Sequence, residues 1–205
     1  MHADPSDDLY GIERPMPEDE PGDRDLVLPD EVPEYPGASR LAPAAPSNYR
    51  RWRGDAPRSI RKVVIHITDG RERIAGPIGM FQKPGTQASA HYIVGRDGEV
   101  VQLVRHQDIA WHACAANATS IGIEHCARSP KELGRDDPGL PVTDAQYAAS
   151  AALVRWLCAQ FQIPMDRDHI QGHCEADPKT THQDCPNRIW DWTRYLALVK
   201  GPSAE

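Results

Sequence analysis

The sequence lacks the features that mark three broad classes of protein. No segment carries a stripe of basic residues, and 23 Lys and Arg against 30 Asp and Glu give a formal net charge of -7, which argues against a nucleic-acid partner. No apolar run approaches the roughly 20 residues that a membrane-spanning helix needs. The start, MHADPSDDLYGIERP, is acidic and polar, without the basic and apolar regions of a signal peptide.

Short-spaced cysteine pairs are also absent. The chain has five cysteines and no CxxC pair: Cys114, Cys126, Cys158, Cys174 and Cys185. An odd number at these spacings favours free thiols or a metal ligand over a complete disulfide framework, and one or two bridges are the alternative for a protein that works outside the cytoplasm. We predict that Cys114, Cys126 and Cys158 are small buried apolar side chains.

The N-terminal part of the chain differs in composition from the rest. Residues 1–48 are rich in Pro, Asp and Glu, and apolar residues recur there at neither the strand period nor the helix period. This composition predicts an extended arm that is either solvated or draped over a folded domain. The domain is predicted to span residues 49–200, followed by a short tail at 201–205.

The rest of the chain alternates between strand patterns and helix patterns. Strands are predicted at 62–68 (KVVIHIT), at 91–104 as a hairpin that turns at Asp97-Gly98, at 120–126 (SIGIEHC) and at 169–173 (HIQGH). Helices are predicted at 76–82, at 144–161 after the N-cap Thr143, and at 187–200. Pro, Gly and charged residues indicate a loop at 128–141. Intermixed strands and helices predict a single α/β domain with a central mixed sheet flanked by helices.

Three side chains with metal-binding atoms lie at the ends of predicted elements. His66 is at the end of the first strand, His173 ends a later strand, and Cys185 lies in the loop that follows. Two imidazoles and one thiolate suit Zn²⁺ and leave its fourth position open for water, as catalytic zinc requires. His182 and Asp184 flank Cys185 closely and are alternatives for the third ligand.

The order of the motifs carries more information than any one of them. VVIHIT, SAHYIVGRDGEVVQLV, AWHA, SIGIEH, TDAQY, GHCEADP and WDWTRYLALV follow one another over roughly residues 60–199. In this order they resemble the zinc-dependent N-acetylmuramoyl-L-alanine amidases, a family that includes phage lysozyme-type amidases, anhydro-muramyl amidases and animal peptidoglycan recognition proteins. The resemblance implies a zinc cleft on one face of the mixed sheet. It also implies hydrolysis of the amide between the lactyl group of N-acetylmuramic acid and the L-alanine of the stem peptide, in peptidoglycan or muropeptides.

By motif match, the resemblance assigns metal ligands and a general base. The ligands are His66 in VVIHIT, His173 in GHCEADP and Cys185, the residue before Pro in DCP. Glu124, in SIGIE, matches the glutamate that is the general base in the anhydro-muramyl branch. A carboxylate at the end of a buried strand can take a proton from water and return it to the leaving amine. The alternative for Glu124 is an edge residue paired with an arginine.

The chain departs from the family pattern at two positions near the proposed site. Many members have Lys two residues before the third ligand, where it stabilises the oxyanion, whereas this chain has Gln183. Lys179 and His182 are the nearby candidates for that catalytic role. Part of the family has Tyr before the hairpin histidine, whereas this chain has Ala90, as in the branch that uses the glutamate.

The resemblance also implies a set of substrate-binding residues. Trp111 and His112, in AWHA, match residues that line the cleft, and Asn117 follows in the same loop. His91, in the hairpin, completes the predicted set. Packing in the core is the alternative for Trp111.

Three functions are compatible with these residues: an amidase, a module that binds muropeptides without cutting them, and a structural zinc site. An amidase is favoured because Glu124 and Cys185 are both present, whereas modules of the family that bind muropeptides without cutting them typically lack the thiolate. A structural zinc site closed by four protein ligands is the third alternative, with Asp184 or His182 as the fourth ligand.

The biological setting is open at this point. A recycling enzyme, a phage endolysin and a secreted toxin all fit the motifs, and the toxin would have an immunity protein as its partner. Either the protein is made without an export signal or the signal lies outside these residues. In the first case we expect a protein that is cytoplasmic as made and reaches the periplasm or the cell wall only after release or delivery.

Overall fold

The structure, a computed structural model, describes residues 32–70, 72–130 and 138–202. Most of the predicted arm (1–31), the centre of the predicted loop (131–137) and the end of the predicted tail (203–205) lie outside the described residues. The division of the chain into arm, domain and tail therefore stays a prediction.

Strands and helices alternate along the described chain. The strands are β1 (Arg40–Leu41), β2 (Tyr49–Arg50), β3 (Lys62–Ile67), β4 (Tyr92–Val94), β5 (Val100–Gln102), β6 (Ile109–Ala110), β7 (Ser120–His125) and β8 (Ile170–Gly172). The helices are α1 (Ala75–Gln82), α2 (Asp144–Phe161), α3 (His173–Ala176) and α4 (Trp192–Lys200), with 3-10 turns at Pro46–Asn48 and Cys114–Thr119. Every strand and helix predicted from the sequence is present. None of the described helices is long and apolar enough to cross a membrane.

Six strands form one mixed sheet in the order β1-β5-β4-β7-β3-β8. Neighbouring strands run parallel except in the β4–β5 hairpin, which is antiparallel. The remaining strands, β2 and β6, form a separate antiparallel pair. This topology confirms the predicted α/β fold with a central mixed sheet.

The two-residue period of the strands separates the two faces of the sheet. Val63 and Ile65 of β3 pack in the main core, which also contains buried residues of α2 and α4. Ile121 and Ile123 of β7 belong to the same core. Because successive side chains point to opposite faces, the even-numbered residues of β3 and β7 lie on the other face of the sheet.

The start of α4 shows the largest difference from the predicted boundaries. The pattern predicted a helix from residue 187, whereas α4 begins at Trp192. Asp191 is its N-cap and accepts a hydrogen bond from the Arg194 backbone nitrogen at 3.0 Å. The preceding residue, Trp190, is buried in the core, and the Asp191 backbone nitrogen donates to the Tyr147 hydroxyl at 2.8 Å. The chain therefore turns into the core before the helix starts.

Residues 32–48 fall within the predicted arm and pack against the sheet. β1 pairs in parallel with β5, so that Arg40 lies opposite Val101. The Glu34 carboxylate accepts a hydrogen bond from the His106 backbone nitrogen at 2.8 Å, and the Glu34 backbone nitrogen donates to Gln102 Oε1 at 2.6 Å. This segment therefore extends the sheet at its β5 edge.

Two predicted placements were wrong. His173 does not end a strand, because β8 stops at Gly172 and His173 is the first residue of α3. Cys114 is exposed, since it begins a surface 3-10 turn, whereas Cys126 and Cys158 are buried as predicted.

The capping box at the start of α2 predicts that removal of the Thr143 hydroxyl lowers the stability of the fold. The Thr143 hydroxyl accepts from the Gln146 backbone nitrogen at 3.1 Å and donates to the Arg96 carbonyl oxygen at 2.7 Å. We expect Thr143→Ala to lower the free energy of unfolding by about 1 kcal/mol. Thr143→Ser, which keeps the hydroxyl, should retain most of that stability. Urea unfolding measures both, and equal losses in the two variants would contradict a capping role.

Candidate metal and catalytic site

Parallel strand pairing brings the predicted metal ligands together. In the register of β3 and β8, Ile65 lies opposite Gly172, so His66 and His173 follow at the same edge of the sheet. Cys185 joins them from the loop after α3. The ligand atoms of His66, His173 and Cys185 all lie within 4.8 Å of one another, and this is the only such group of three or more found among the described residues.

Cys185 is held against the end of β3 and the start of α3. The Ile67 backbone nitrogen donates to Cys185 Sγ at 3.4 Å, and the Cys174 backbone nitrogen donates to the Cys185 carbonyl oxygen at 3.1 Å. A Cβ atom on Gly172 would lie 2.7 Å from Pro186 Cδ. The absence of a side chain at Gly172 therefore lets the loop approach β8 closely.

The donor set fits zinc. Burial, followed by the neighbouring histidines, holds the pKa of His66 well below its usual range, and burial lowers the pKa of His173 to about 4. Both imidazoles are therefore neutral near pH 7, as metal ligands must be. Burial raises the pKa of the Cys185 thiol, and the Glu124 carboxyl raises it further. A divalent cation would compensate a thiolate here, and two nitrogens with one sulfur are ligands that zinc prefers.

The two alternative third ligands lie outside the triplet. Asp184 is exposed and forms an ion pair with Arg188 at 3.5 Å. His182 is also exposed, with its ring stacked on that of His173 at a centroid distance of 5.4 Å. Cys185 is thus the loop residue that the fold brings to both histidines.

Glu124 lies beside this triplet on β7. Its register partner on β3 is His66, and the two residues share one face of the sheet. Glu124 Oε2 is buried and has no hydrogen-bond partner among the described residues. Burial raises the pKa of the Glu124 carboxyl to about 8. A buried acid without a partner next to a metal-binding cluster has the properties of a proton-transferring group.

The AWHA loop brings one predicted substrate-binding residue into contact with the triplet. His112 is half-buried, and its Nδ1 lies 3.0 Å from His66 Nε2. Asn117 Oδ1 accepts from the backbone nitrogens of His112 and Ala113 at 2.9 and 2.7 Å, so this oxygen holds the loop. Trp111 is half-buried, and its backbone nitrogen donates to Ser89 Oγ at 3.1 Å. Substrate contacts by Trp111, His112 and Asn117 stay predictions.

His91 is placed differently from the prediction. Its side chain is fully buried, so a direct contact with substrate is incompatible with this position. Its Nδ1 accepts from the Gly122 backbone nitrogen at 3.0 Å, and its Nε2 lies 3.2 Å from the Asp108 carbonyl oxygen. His91 therefore supports β7 from within the core, behind His112.

The two candidates for the oxyanion role differ in placement. His182 contacts His173 and lines a cavity of about 400 Å³ that also borders Ile67 and Cys185. Lys179 is exposed, and its backbone nitrogen donates to Asp177 Oδ1 at 3.2 Å. The structure thus brings His182, rather than Lys179, into contact with the cluster.

Some residues around the site were not predicted. Asp69 and Ser129 line the same cavity, and the Ser129 backbone nitrogen donates to Asp69 Oδ1 at 3.1 Å. The position of Asp69 just after β3 was the available signal, because polar residues that follow a buried strand often line a cleft. Ser120 carries no such signal in the sequence, although its hydroxyl lies 3.2 Å from His112 Nε2.

Comparisons with known proteins agree with this geometry. The sequence model of a protein family described as N-acetylmuramoyl-L-alanine amidase matches residues 56–188. N-acetylmuramoyl-L-alanine amidase A of Achromobacter lyticus is 31% identical over 176 residues, which cover 78% of this chain and 92% of that protein. The 1,6-anhydro-N-acetylmuramyl-L-alanine amidase AmpD of Salmonella typhimurium is 38% identical over 116 residues, 55% of this chain and 58% of that protein.

A solved structure shows the same similarity in three dimensions. The crystal structure of a selenomethionine derivative of AmpD superposes with a TM-score of 0.61 at 28% sequence identity. The similarity covers 80% of this chain and 96% of that chain. The mixed sheet and its flanking helices are therefore shared with a protein of known structure.

The buried Glu124 carboxyl predicts a pH-dependent stability difference. In the metal-free protein its pKa is raised from 4.5 to about 8, so between these values the folded state holds a proton that the unfolded chain releases. The free energy of unfolding of the wild type therefore falls as pH rises through this window. We expect the free energy of unfolding of Glu124→Gln, minus that of the wild type, to increase between pH about 4.5 and about 8 and to stay constant at higher pH. Urea unfolding with chelator present measures this difference, and a pH-independent difference would contradict the burial.

Proposed function

The chain belongs to the N-acetylmuramoyl-L-alanine amidase family, and from this membership we propose that it is a zinc enzyme with His66, His173 and Cys185 as ligands. Its reaction is the hydrolysis of the amide between the lactyl group of N-acetylmuramic acid and L-alanine. The substrate is peptidoglycan or a muropeptide, in line with the activities named for its relatives.

One observation carries the assignment of the site. The only metal-binding triplet found among the described residues lies next to a buried carboxyl that has no hydrogen-bond partner there. A buried acid without a hydrogen-bond partner costs stability, and such groups are found preferentially at functional sites. The combination of a three-ligand cluster and an adjacent acid matches what metal-assisted hydrolysis requires.

The bound metal and Glu124 would have different roles in the hydrolysis. When bound, zinc would polarise the scissile carbonyl group and lower the pKa of a water molecule. Glu124 would take the proton of the attacking water at Oε2 and return it to the nitrogen of the leaving L-alanine. Burial raises the pKa of this carboxyl to about 8 in the metal-free protein, and the positive charge of bound zinc would lower it, so that the carboxylate could accept the proton of water.

His182 is our preferred candidate for stabilising the oxyanion. Its ring contacts His173 and borders the cavity beside Cys185, whereas the backbone nitrogen of the exposed Lys179 donates to Asp177. The loop that carries His182 also carries Gln183, which stands where many family members have Lys. A donor in this position is worth about 3 kcal/mol in transition-state stabilisation.

The comparisons favour catalysis over a non-catalytic binding module, because the relatives are named as amidases. The compartment in which the chain acts stays a prediction. The immunity-protein partner depended on delivery as a toxin, and no observation supports it.

Mass spectrometry of digests tests the proposed activity. The zinc-loaded protein is incubated with purified peptidoglycan and, separately, with soluble anhydro-muropeptide, and free stem peptides that begin at L-alanine are quantified. We expect release by the wild type. Glu124→Gln should slow it by about 10²- to 10⁴-fold because the proton transfer is lost, and Cys185→Ser should lose both zinc and activity.

Matched variants control for unspecific effects of the substitutions. Cys174→Ser lies in the same segment as the ligands but outside the triplet, and Glu72→Gln changes an exposed carboxyl. Both should retain wild-type rates. An absence of stem peptides from both substrates, with zinc bound and the fold intact, would contradict the amidase assignment.

A further inference from the structure

The imidazole of His112 connects two groups through its two ring nitrogens. Nδ1 lies 3.0 Å from His66 Nε2, and Nε2 lies 3.2 Å from Ser120 Oγ. Both are within hydrogen-bond distance. A chain of hydrogen bonds therefore runs from Ser120 through His112 to a residue of the metal-binding triplet.

The direction of this chain follows from Ser120. Its hydroxyl donates to the Ala116 carbonyl oxygen at 2.7 Å. A hydroxyl has one proton, so towards His112 the Ser120 oxygen can only accept, and His112 Nε2 must carry the proton. A neutral imidazole has one ring proton, which leaves His112 Nδ1 as an acceptor. His66 Nε2 is then the donor, and the lone pair of His66 is on Nδ1.

The position of His112 is determined by the scaffold around it. A Cβ atom on Gly122 would lie 2.5 Å from His112 Cγ, so the missing side chain of Gly122 makes room for the ring against β7. The Asn117 side chain binds the His112 backbone nitrogen, and Arg58 Nη1 donates to the Asn117 carbonyl oxygen at 3.0 Å. Arg58 is itself buried. The ring is thus held from its backbone and from one face.

We propose that His112 and Ser120 are positioning residues that fix the tautomer of His66, so that His66 binds the metal through Nδ1. This inference rests on the proposed zinc site and adds a role for His112 beside its predicted contact with substrate. Hydrogen bonds to the second nitrogen of a metal-binding histidine orient the ring and raise its basicity, and their loss typically lowers metal affinity about 10- to 100-fold.

Zinc affinity, measured by competition with a chromophoric chelator, tests the proposal without reference to activity. His112→Phe keeps the ring shape and removes both nitrogens, and we expect it to weaken zinc binding by about 10- to 100-fold. His112→Asn places an amide oxygen near the position of Nδ1 and should restore part of the affinity. Ser120→Ala should weaken binding less than His112→Phe does, because it removes only the outer bond.

His169→Phe is the matched control, since His169 bonds to Asp166 on the surface and not to the triplet. It should keep wild-type zinc affinity. Thermal unfolding of each metal-free variant confirms that the fold is intact. If His112→Phe binds zinc as tightly as the wild type, the positioning role is overturned while the zinc site stands. If the wild type itself binds no zinc, the proposed site and the positioning role both fail.

The tautomer is observable directly. Long-range ¹H–¹⁵N spectra of the zinc-loaded protein distinguish a protonated ring nitrogen from a metal-bound one. We expect His66 to carry its proton on Nε2, with Nδ1 bound to zinc. A proton on Nδ1 of His66, with Nε2 bound to zinc, would overturn the proposal even if zinc affinity is normal.

Discussion

The parallel pairing of β3 with β7 and β8 is the constraint on which the site depends. Parallel strands end at the same edge of a sheet, so the last residues of β3 and β7 and the first residue after β8 meet there. The two-residue period then selects one face, opposite the core covered by α2 and α4. Strand pairing thus makes His66 and Glu124 neighbours and places His173 directly after the strand beside them, although the three residues are far apart in sequence.

Burial gives these groups their chemistry. It raises the pKa of Glu124 and of Cys185 and lowers that of both histidines, so each group favours its neutral form in the metal-free protein. The cluster is therefore a set of desolvated donors without a compensating charge. A divalent cation would supply that charge. Burial therefore lowers the stability of the metal-free protein and at the same time favours the binding of zinc.

The sequence predicted the sheet from strong local patterns, and the order of its motifs indicated His66, His173, Cys185 and Glu124, which the structure brings together and whose roles stay predictions. KVVIHIT and SIGIEH are apolar strands, and His66 and Glu124 stand at fixed positions at their ends. It failed where the outcome depends on packing between distant segments. His91 is buried by contacts with Gly122 and Asp108, and His173 begins a helix because the chain turns immediately after β8. The bond between Ser120 and His112 is equally invisible in the sequence, since no periodicity indicates which nitrogen of a ring faces a hydroxyl.

Zinc K-edge X-ray absorption of the zinc-loaded protein tests the central claim most directly, because it counts the ligand types around the metal. The account predicts one sulfur at about 2.3 Å and two imidazole nitrogens at about 2.0–2.1 Å in the wild type. Two sulfur ligands would place Cys174 in the site beside Cys185. Tightly bound zinc without any sulfur ligand would show that Cys185 is not a ligand. Either result would contradict the three-residue site described above.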